Sequence, residues 1–157
     1  MPISEQKQVL LKVPFFPDRT DQCGPSALAS VLGFWGTQAE PAQLKQEIYR
    51  GNLKGSLPID LLLAAQARGM SAEILDGGLP QLKKELDAGR PLIVFVNLSY
   101  PFIPSGHYMV VTGYDDRRQA IYAHSGMKKN GLMSYKKFLK QWERTDRWAL
   151  LVLPAAR

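Results

Sequence analysis

The sequence predicts an α+β fold in which N-terminal helices pack on a C-terminal antiparallel sheet. Apolar residues in the first half mostly recur at three- and four-residue spacing, as on one face of a helix, whereas the second half contains short continuous apolar runs typical of buried strands. Because helices and strands are segregated along the chain, alternating βαβ units are not expected. The 157 residues fit one domain, residues 1–157, with a core large enough to need no disulfide or metal staple.

The first half is predicted to hold most of the helices. Residues 23–35 form the clearest helix, because Leu28, Val31 and Leu32 share one face, and Gly36 ends it. The other elements predicted here are a short strand at 9–13 stopped by Pro14, helices at about 40–49 and 58–68, a strand at 70–75 and a short helix at 79–88.

The second half is predicted to supply most of the sheet. Residues 91–97 are almost continuously apolar, which indicates a buried strand. A helix at 134–144 begins at Ser134, which caps it, and places Phe138 and Trp142 four residues apart. The remaining strands are predicted at 107–114, 121–124 and 148–153.

The positive charge of the chain is concentrated near its C-terminus. The net charge is +6, and residues 117–147 contain nine basic and two acidic residues. Such a segment can face nucleic acid, an anionic membrane or an acidic partner, or it can be the solvated side of a hairpin and a helix. It lacks interleaved exposed aromatic residues and any nucleic-acid motif, so the solvated surface is favoured and no nucleic-acid partner is expected.

The cysteine and histidine counts exclude several kinds of site. Cys23 is the single cysteine and His107 and His124 are the two histidines, which excludes an internal disulfide and a cysteine-rich zinc site. Carboxylates would have to carry any metal chemistry, and the sequence shows no suitable cluster of them, so no metal is expected. No run of 18 apolar residues could span a bilayer, and the first seven residues lack an apolar signal core. This predicts a cytoplasmic protein, or an exported or membrane-associated one if a leader was trimmed.

Cys23 is the first candidate for chemistry because it stands at a predicted helix start. The partial positive charge there favours thiolate over thiol, and the unpaired N–H groups can receive an oxyanion. Gly24 is expected to let a substrate backbone approach closely. The alternative is that Cys23 is a small buried apolar side chain, as free cysteines often are.

His107 is the second candidate. It opens a predicted strand after a loop that contains Pro101 and Pro104, and a histidine there could take a proton from a thiol. The alternative is a histidine bonded to a backbone carbonyl. A nucleophile on the helical half and a base on the sheet half would form a papain-type arrangement.

Three stretches also make the sequence recognisable as a whole: VPFFP at 13–17, QCGPSALA at 22–29 and GHYMVVTGYD at 106–115. They resemble the double-glycine leader peptidases, papain-like cysteine peptidases found as N-terminal domains of bacteriocin-exporting ABC transporters and as stand-alone relatives. The resemblance runs from about Val9 to Leu153. It implies that Cys23 is a nucleophile, that His107 is its base, and that the substrate is a peptide with small residues such as Gly-Gly before the cut. Such a peptidase needs no metal and no cofactor.

Two positions depart from that family's pattern. Relatives usually carry an oxyanion-binding Gln five or six residues before the Cys, whereas this chain has Asp18 there, and Gln22 is the nearest amide. An ionised carboxylate cannot donate a hydrogen bond and repels a developing oxyanion. Ser125 stands where relatives carry the Asp that orients the histidine. A hydroxyl can accept the imidazole N–H but brings no charge.

His124, just before Ser125, has three possible roles: a structural residue on a strand, the residue that orients His107, or a substrate-facing side chain.

Two functions follow for the whole chain. The first is a cysteine peptidase, slowed by the altered positions. The second is a degenerate domain that binds peptides without cutting them, for example for an ABC exporter or another membrane partner, and transglutaminase-like acyl transfer is a further possibility on the same fold.

Overall fold

A layer of strands lies at the centre of the computed structural model, which describes residues 7–18, 23–52, 55–98 and 106–155. The elements are β1 (Gln8–Leu10), α1 (Cys23–Phe34), α2 (Pro41–Ile48), α3 (Pro58–Ala67), β2 (Met70–Leu75), α4 (Gly78–Asp87), β3 (Leu92–Asn97), β4 (Gly106–Asp115), β5 (Ala120–Ser125), β6 (Lys128–Ser134), α5 (Tyr135–Glu143) and β7 (Ala149–Pro154). Within the described residues a seven-stranded sheet has the order β2-β7-β3-β4-β5-β6, with β1 paired to β4, and each pairing is antiparallel.

Helices cover both faces of this sheet, which accounts for the continuous apolar runs of its strands. Successive β4 side chains alternate between two cores, because side chains of a strand point to opposite faces. Tyr108 and Val110 join the core that contains α1, α2 and α3, whereas Met109 and Val111 join the core that contains α4 and α5. The predicted α+β fold, with N-terminal helices on a C-terminal antiparallel sheet, is confirmed, and α4 and α5 form an additional layer behind it.

Local sequence signals explain the ends of the helices. Gly36 adopts a left-handed conformation with φ of 85° just after α1, and its N–H donates to the carbonyl of Gly33 over 3.0 Å. Ser134 caps α5, where its hydroxyl accepts the N–H of Lys137 at 3.1 Å. These helices therefore begin and end within about two residues of their predicted bounds.

Strand β6 is absent from the sequence prediction. Its residues are Lys-Lys-Asn-Gly-Leu-Met-Ser, and none of them is fully buried, because β6 lies at the edge of the sheet. An edge strand needs no apolar face, and lysines protect its free edge from pairing with other chains. Strand β1 is also shorter than predicted and ends at Leu10 instead of Val13.

Among the described residues, no helix combines the length and apolarity needed to cross a membrane. The same residues contain no group of three or more His, Cys, Asp or Glu side chains arranged to hold a metal ion.

Candidate active site

The first residue of α1 is Cys23, as the sequence predicts, and its side chain is only partly buried. The backbone N–H of Tyr108 interacts with its sulfur, as do the N–H groups of Gly24 and of Cys23 itself. Because Tyr108 follows His107 in β4, the start of α1 meets the start of β4 at this point. The helical half and the sheet half therefore bring Cys23 and His107 into the same region.

His107 is held by the neighbouring strand β5. Its Nε2 lies 2.8 Å from the Oγ of Ser125, the last residue of that strand. A hydroxyl can accept the Nε2–H of a neutral imidazole, which leaves Nδ1 as the nitrogen that can take a proton from a thiol. The structure thus places Ser125 where a residue that orients His107 would be needed.

Asp18 is buried, with 7% of its surface exposed, and it lines the same cleft as Cys23. Its backbone N–H donates to the carbonyl of Gly126 over 2.9 Å, which ties the loop before α1 to the turn after Ser125. The Asp18 carboxylate acts electrostatically on both Cys23 and His107. Gln22, the alternative oxyanion amide, lies outside the described residues.

The pKa of the Cys23 thiol differs from the one expected for a cysteine at a helix start. Burial raises the pKa of the thiol, and the Asp18 charge raises it further, while the backbone N–H groups of Tyr108 and Gly24 lower it by less. The helix start does favour the thiolate, but burial and a neighbouring anion outweigh it. At neutral pH the resting residue is therefore a thiol.

Burial also lowers the pKa of His107, and the Asp18 carboxylate opposes that shift in part. A neutral thiol thus accompanies a neutral imidazole at neutral pH. The two groups therefore do not form a stable thiolate–imidazolium ion pair at rest.

His124 has a structural role, and the hydrogen bonds exclude it as the residue that orients His107. Its Nε2 lies 2.8 Å from the carbonyl oxygen of Val13, and its Nδ1 accepts the N–H of Asn130 at 3.0 Å. Its ring also packs on Phe15, with the ring centroids 5.1 Å apart. Because both ring nitrogens are used, His124 joins the segment before α1 to strand β6.

Two contributions to the site were not predicted from the sequence. Tyr108 supplies a backbone N–H to Cys23, and its hydroxyl donates to the carbonyl of Ser56 over 2.8 Å. Ser26 lies three residues after Cys23 on α1, and its buried Oγ lines the same cleft without a hydrogen-bond partner among the described residues. The spacing of three residues along one helix could have identified Ser26.

Gly24 serves packing within the protein. A Cβ at this position would stand 3.1 Å from both Cβ and Oγ of Ser56, so a side chain there would press on the loop before α3. The expected close approach of a substrate backbone is therefore not the constraint that the structure reveals at Gly24.

The family comparison agrees with this architecture. The model of the family described as "Peptidase_C39 like family" matches residues 5–150. No curated protein matches the chain.

Several solved structures share the fold. One, described as a C39-like peptidase from Bacillus anthracis, is 20% identical with a TM-score of 0.74, and the alignment covers 97% of this chain and 100% of that one. A double glycine motif protease from an AMS/PCAT transporter, solved with its leader peptide, is 22% identical with a TM-score of 0.74 and coverages of 96% and 100%. The peptidase domain of Streptococcus ComA, a bi-functional ABC transporter, is 24% identical with a TM-score of 0.71 and coverages of 92% and 98%.

Proposed function

Because the chain belongs to the Peptidase_C39-like family, we propose that it cuts peptide bonds with Cys23 as nucleophile and His107 as base. The observation that supports this most directly is the His107–Ser125 pair, 2.8 Å apart, at the point where the start of β4 meets Cys23. A histidine held at one nitrogen and free to receive a proton at the other is the arrangement that a thiol nucleophile requires.

The proposed reaction begins with the neutral pair. As the sulfur of Cys23 attacks the scissile carbonyl carbon, its proton passes to Nδ1 of His107, and the carbonyl oxygen becomes an oxyanion. The tetrahedral intermediate then breaks its C–N bond, and His107 returns the proton to the leaving amine. Water next hydrolyses the thioester with His107 as base, which releases the acid product and restores the thiol.

Ser125 acts as a positioning residue in this proposal. Its hydroxyl accepts the Nε2–H and fixes the tautomer in which Nδ1 is free to accept a proton. Unlike a carboxylate, it brings no negative charge to stabilise the imidazolium that forms during attack. The expected enzyme is therefore slow compared with one that has an acid at this position.

Asp18 makes the oxyanion region unusual. The N–H groups at the start of α1 can stabilise the oxyanion, but a carboxylate in the cleft opposes negative charge there. Asp18→Gln replaces that charge with an amide donor, and we expect it to raise kcat. A single oxyanion donor contributes roughly 10²–10³ in kcat in other enzymes. An unchanged or lower kcat in this variant would show that position 18 does not face the oxyanion.

The narrow cleft favours a substrate with small residues before the cut. Its free volume of about 10 Å³ is no more than one water molecule needs. Glycine, which has no side chain, is the residue that such a cleft opposes least, and a double-glycine protease is among the proteins that share this fold. We therefore propose that the substrate is a Gly-Gly peptide. The corresponding partner is an ABC transporter.

A peptide-binding domain without catalysis is the second candidate. It is favoured by Asp18, whose charge disfavours both the thiolate and the oxyanion. The discriminating experiment is mass-spectrometric analysis of a Gly-Gly peptide incubated with wild type, Cys23→Ala and His107→Ala. Cleavage by wild type alone supports the peptidase, whereas binding of the peptide with no cleavage by any of the three supports the binding domain.

A further inference from the structure

We propose that Lys128 and Lys129, at the start of β6, form a basic subsite beside the cleft that binds an acidic residue of the peptide substrate. This rests on the proposed function, since it assigns a substrate feature to the same site. It starts from the short turn between β5 and β6, which follows directly after Ser125.

The turn connects His107 to the two lysines by a short series of contacts. Ser125 touches His107 and is paired with Lys128 across the antiparallel strands. Paired residues of adjacent strands project on the same face, with their Cβ atoms about 5 Å apart. Gly126, within the turn, lines the cleft and accepts the N–H of Asp18. The turn is therefore part of the wall beside Cys23.

Lys129 follows Lys128 in β6, so its side chain leaves the strand on the opposite face. The positive charge of Lys129 acts on His124, whose ring also lines the cleft. The next residue, Asn130, donates its N–H to His124, which fixes the backbone of this stretch against β5. The two lysines therefore directly follow the turn, on a strand that its pairing with β5 holds in place.

Both lysines are available to a ligand. They are exposed, and no ion pair to either is found in the part of the chain that the structure describes. Met127, in the turn itself, is 53% exposed and offers an apolar contact beside them. A peptide that leaves the cleft over this turn meets two cations and a methionine.

Charge complementarity identifies the occupant. Lys128 and Lys129 are adjacent and exposed, so they make the potential at this turn positive. An acidic peptide is drawn to such a surface, whereas a basic one is repelled. A carboxylate of the substrate is therefore the group that this subsite fits.

The test uses a series of fluorescent Gly-Gly peptides in which Glu, Gln or Lys replaces each residue flanking the cut in turn. Binding to Cys23→Ala protein is measured by anisotropy, and kcat/KM is measured with the wild type. At one position on the side of the turn, Glu should bind about two- to fivefold more tightly than Gln, the range expected of an exposed ion pair. The difference should shrink as salt is added, because 0.1 M salt screens exposed charges beyond about 10 Å.

Variants that change the charge of Lys128 and Lys129 test whether these residues cause the preference for Glu. Lys128→Glu/Lys129→Glu should reverse the preference from Glu to Lys, and Lys128→Gln/Lys129→Gln should abolish it. Lys136→Glu/Lys137→Glu on α5 makes the same change in net charge away from the turn and should preserve the preference. An equal response of the two Glu pairs, or no response of either, would overturn the subsite. Circular dichroism establishes that each variant is folded.

Because binding and cleavage are measured separately, failure of the subsite can be distinguished from failure of the peptidase proposal. A preference for Glu in binding, without cleavage of any peptide, supports the subsite and contradicts the peptidase. Cleavage without any charge preference contradicts the subsite alone. A third measurement uses anionic phosphatidylserine vesicles. The proposal would be overturned if the wild type bound these vesicles, if Lys128→Glu/Lys129→Glu did not, and if that variant kept the wild-type preference for Glu peptides. The turn would then be assigned to a membrane surface.

Discussion

At Cys23, local chemistry and tertiary structure act in opposite directions. The start of α1 provides N–H groups that favour a thiolate, while burial and Asp18 favour the thiol, and the latter prevail. His107 shows the same influence of the buried site, because burial keeps its imidazole neutral. In the proposed mechanism, the proton therefore passes from Cys23 to His107 only as the sulfur attacks a substrate.

Removing the Asp18 charge is expected to change the reactivity of Cys23. Asp18→Asn should lower the pKa of the thiol, since a neutral amide no longer opposes the thiolate. The measurement is the rate of alkylation by iodoacetamide across pH 5–10, whose midpoint should move to lower pH. The control is Asp116→Asn. It removes a carboxylate that pairs with Lys83 and does not line the cleft. An unmoved midpoint in Asp18→Asn would contradict the electrostatic role of Asp18.

Ser125 offers a second test at the scale of one residue. Ser125→Asp should raise kcat and shift the acidic limb of the rate profile to higher pH, because a carboxylate stabilises the His107 imidazolium and raises its pKa. Ser125→Ala should lower kcat with little change in KM. Loss of the acid in another triad cost about 10⁴ in kcat, chiefly through the wrong tautomer, and replacing a hydroxyl should cost less. Ser71→Ala, an exposed serine of β2, is the control, and a wild-type rate in Ser125→Ala would remove Ser125 from the mechanism.

At the scale of elements, β1 lies unusually close to β4. An added Cβ at Gly113 would stand 2.0 Å from the carbonyl oxygen of Val9, and Gly113 borders an irregularity in the β4–β5 pairing. The chain that leaves β1 supplies Val13, Phe15 and Asp18 to the site. A glycine in β4 therefore sets the position of the loop on the far side of the cleft.

Gly113→Ala is expected to displace β1 and to destabilise the protein by about 1–3 kcal/mol, the usual cost of overpacking. Urea unfolding followed by circular dichroism measures the loss, and peptide cleavage should fall as well because the loop to Asp18 moves. Gly51→Ala is the matched control, since a Cβ there meets nothing within 4 Å. Equal stability of the two variants would show that β1 adjusts without cost.

Helices and core strands could be predicted because their signals are local. The repeating apolar face of α1 and the stop at Gly36 lie within a few turns of chain. Strand β6 could not, because its sequence KKNGLMS has no apolar alternation and the strand depends on β5 for its pairing. The effect of Asp18 on Cys23 was equally beyond reach, since burial is a property of the folded chain. The contact of Ser125 with His107, in contrast, agrees with the place of Ser125 in the pattern of the leader peptidases, although the two residues are far apart in the chain.

For the whole molecule, the two histidines make stability depend on pH. Burial lowers the pKa of both His107 and His124. Below the ordinary value of about 6.5, the unfolded chain therefore binds more protons than the folded one, so stability is full above pH 6.5 and falls as the pH drops. Protonated His124 would also lose the N–H donated by Asn130.

Unfolding free energies measured in urea from pH 7.5 to 5 should decrease, by up to about 1.4 kcal/mol per pH unit for each histidine. His124→Gln should flatten the curve, and a double variant with His107→Gln should flatten it further. Most carboxylates titrate near pH 4, so this window isolates the histidines. A wild-type curve that stays level across the window would contradict the lowered pKa values.

The contact between α1 and β4 determines the stage of synthesis and folding at which the site can form. The proposed nucleophile and base are about 80 residues apart, and the hydroxyl that steadies the base comes 18 residues later still. In the proposed mechanism, a chain emerging from the ribosome exposes its thiol long before it has a base, so it cannot yet cut itself or its neighbours. Cleavage requires that the β4–β5 hairpin has closed on α1, so cleavage of a peptide reports that this long-range contact has formed.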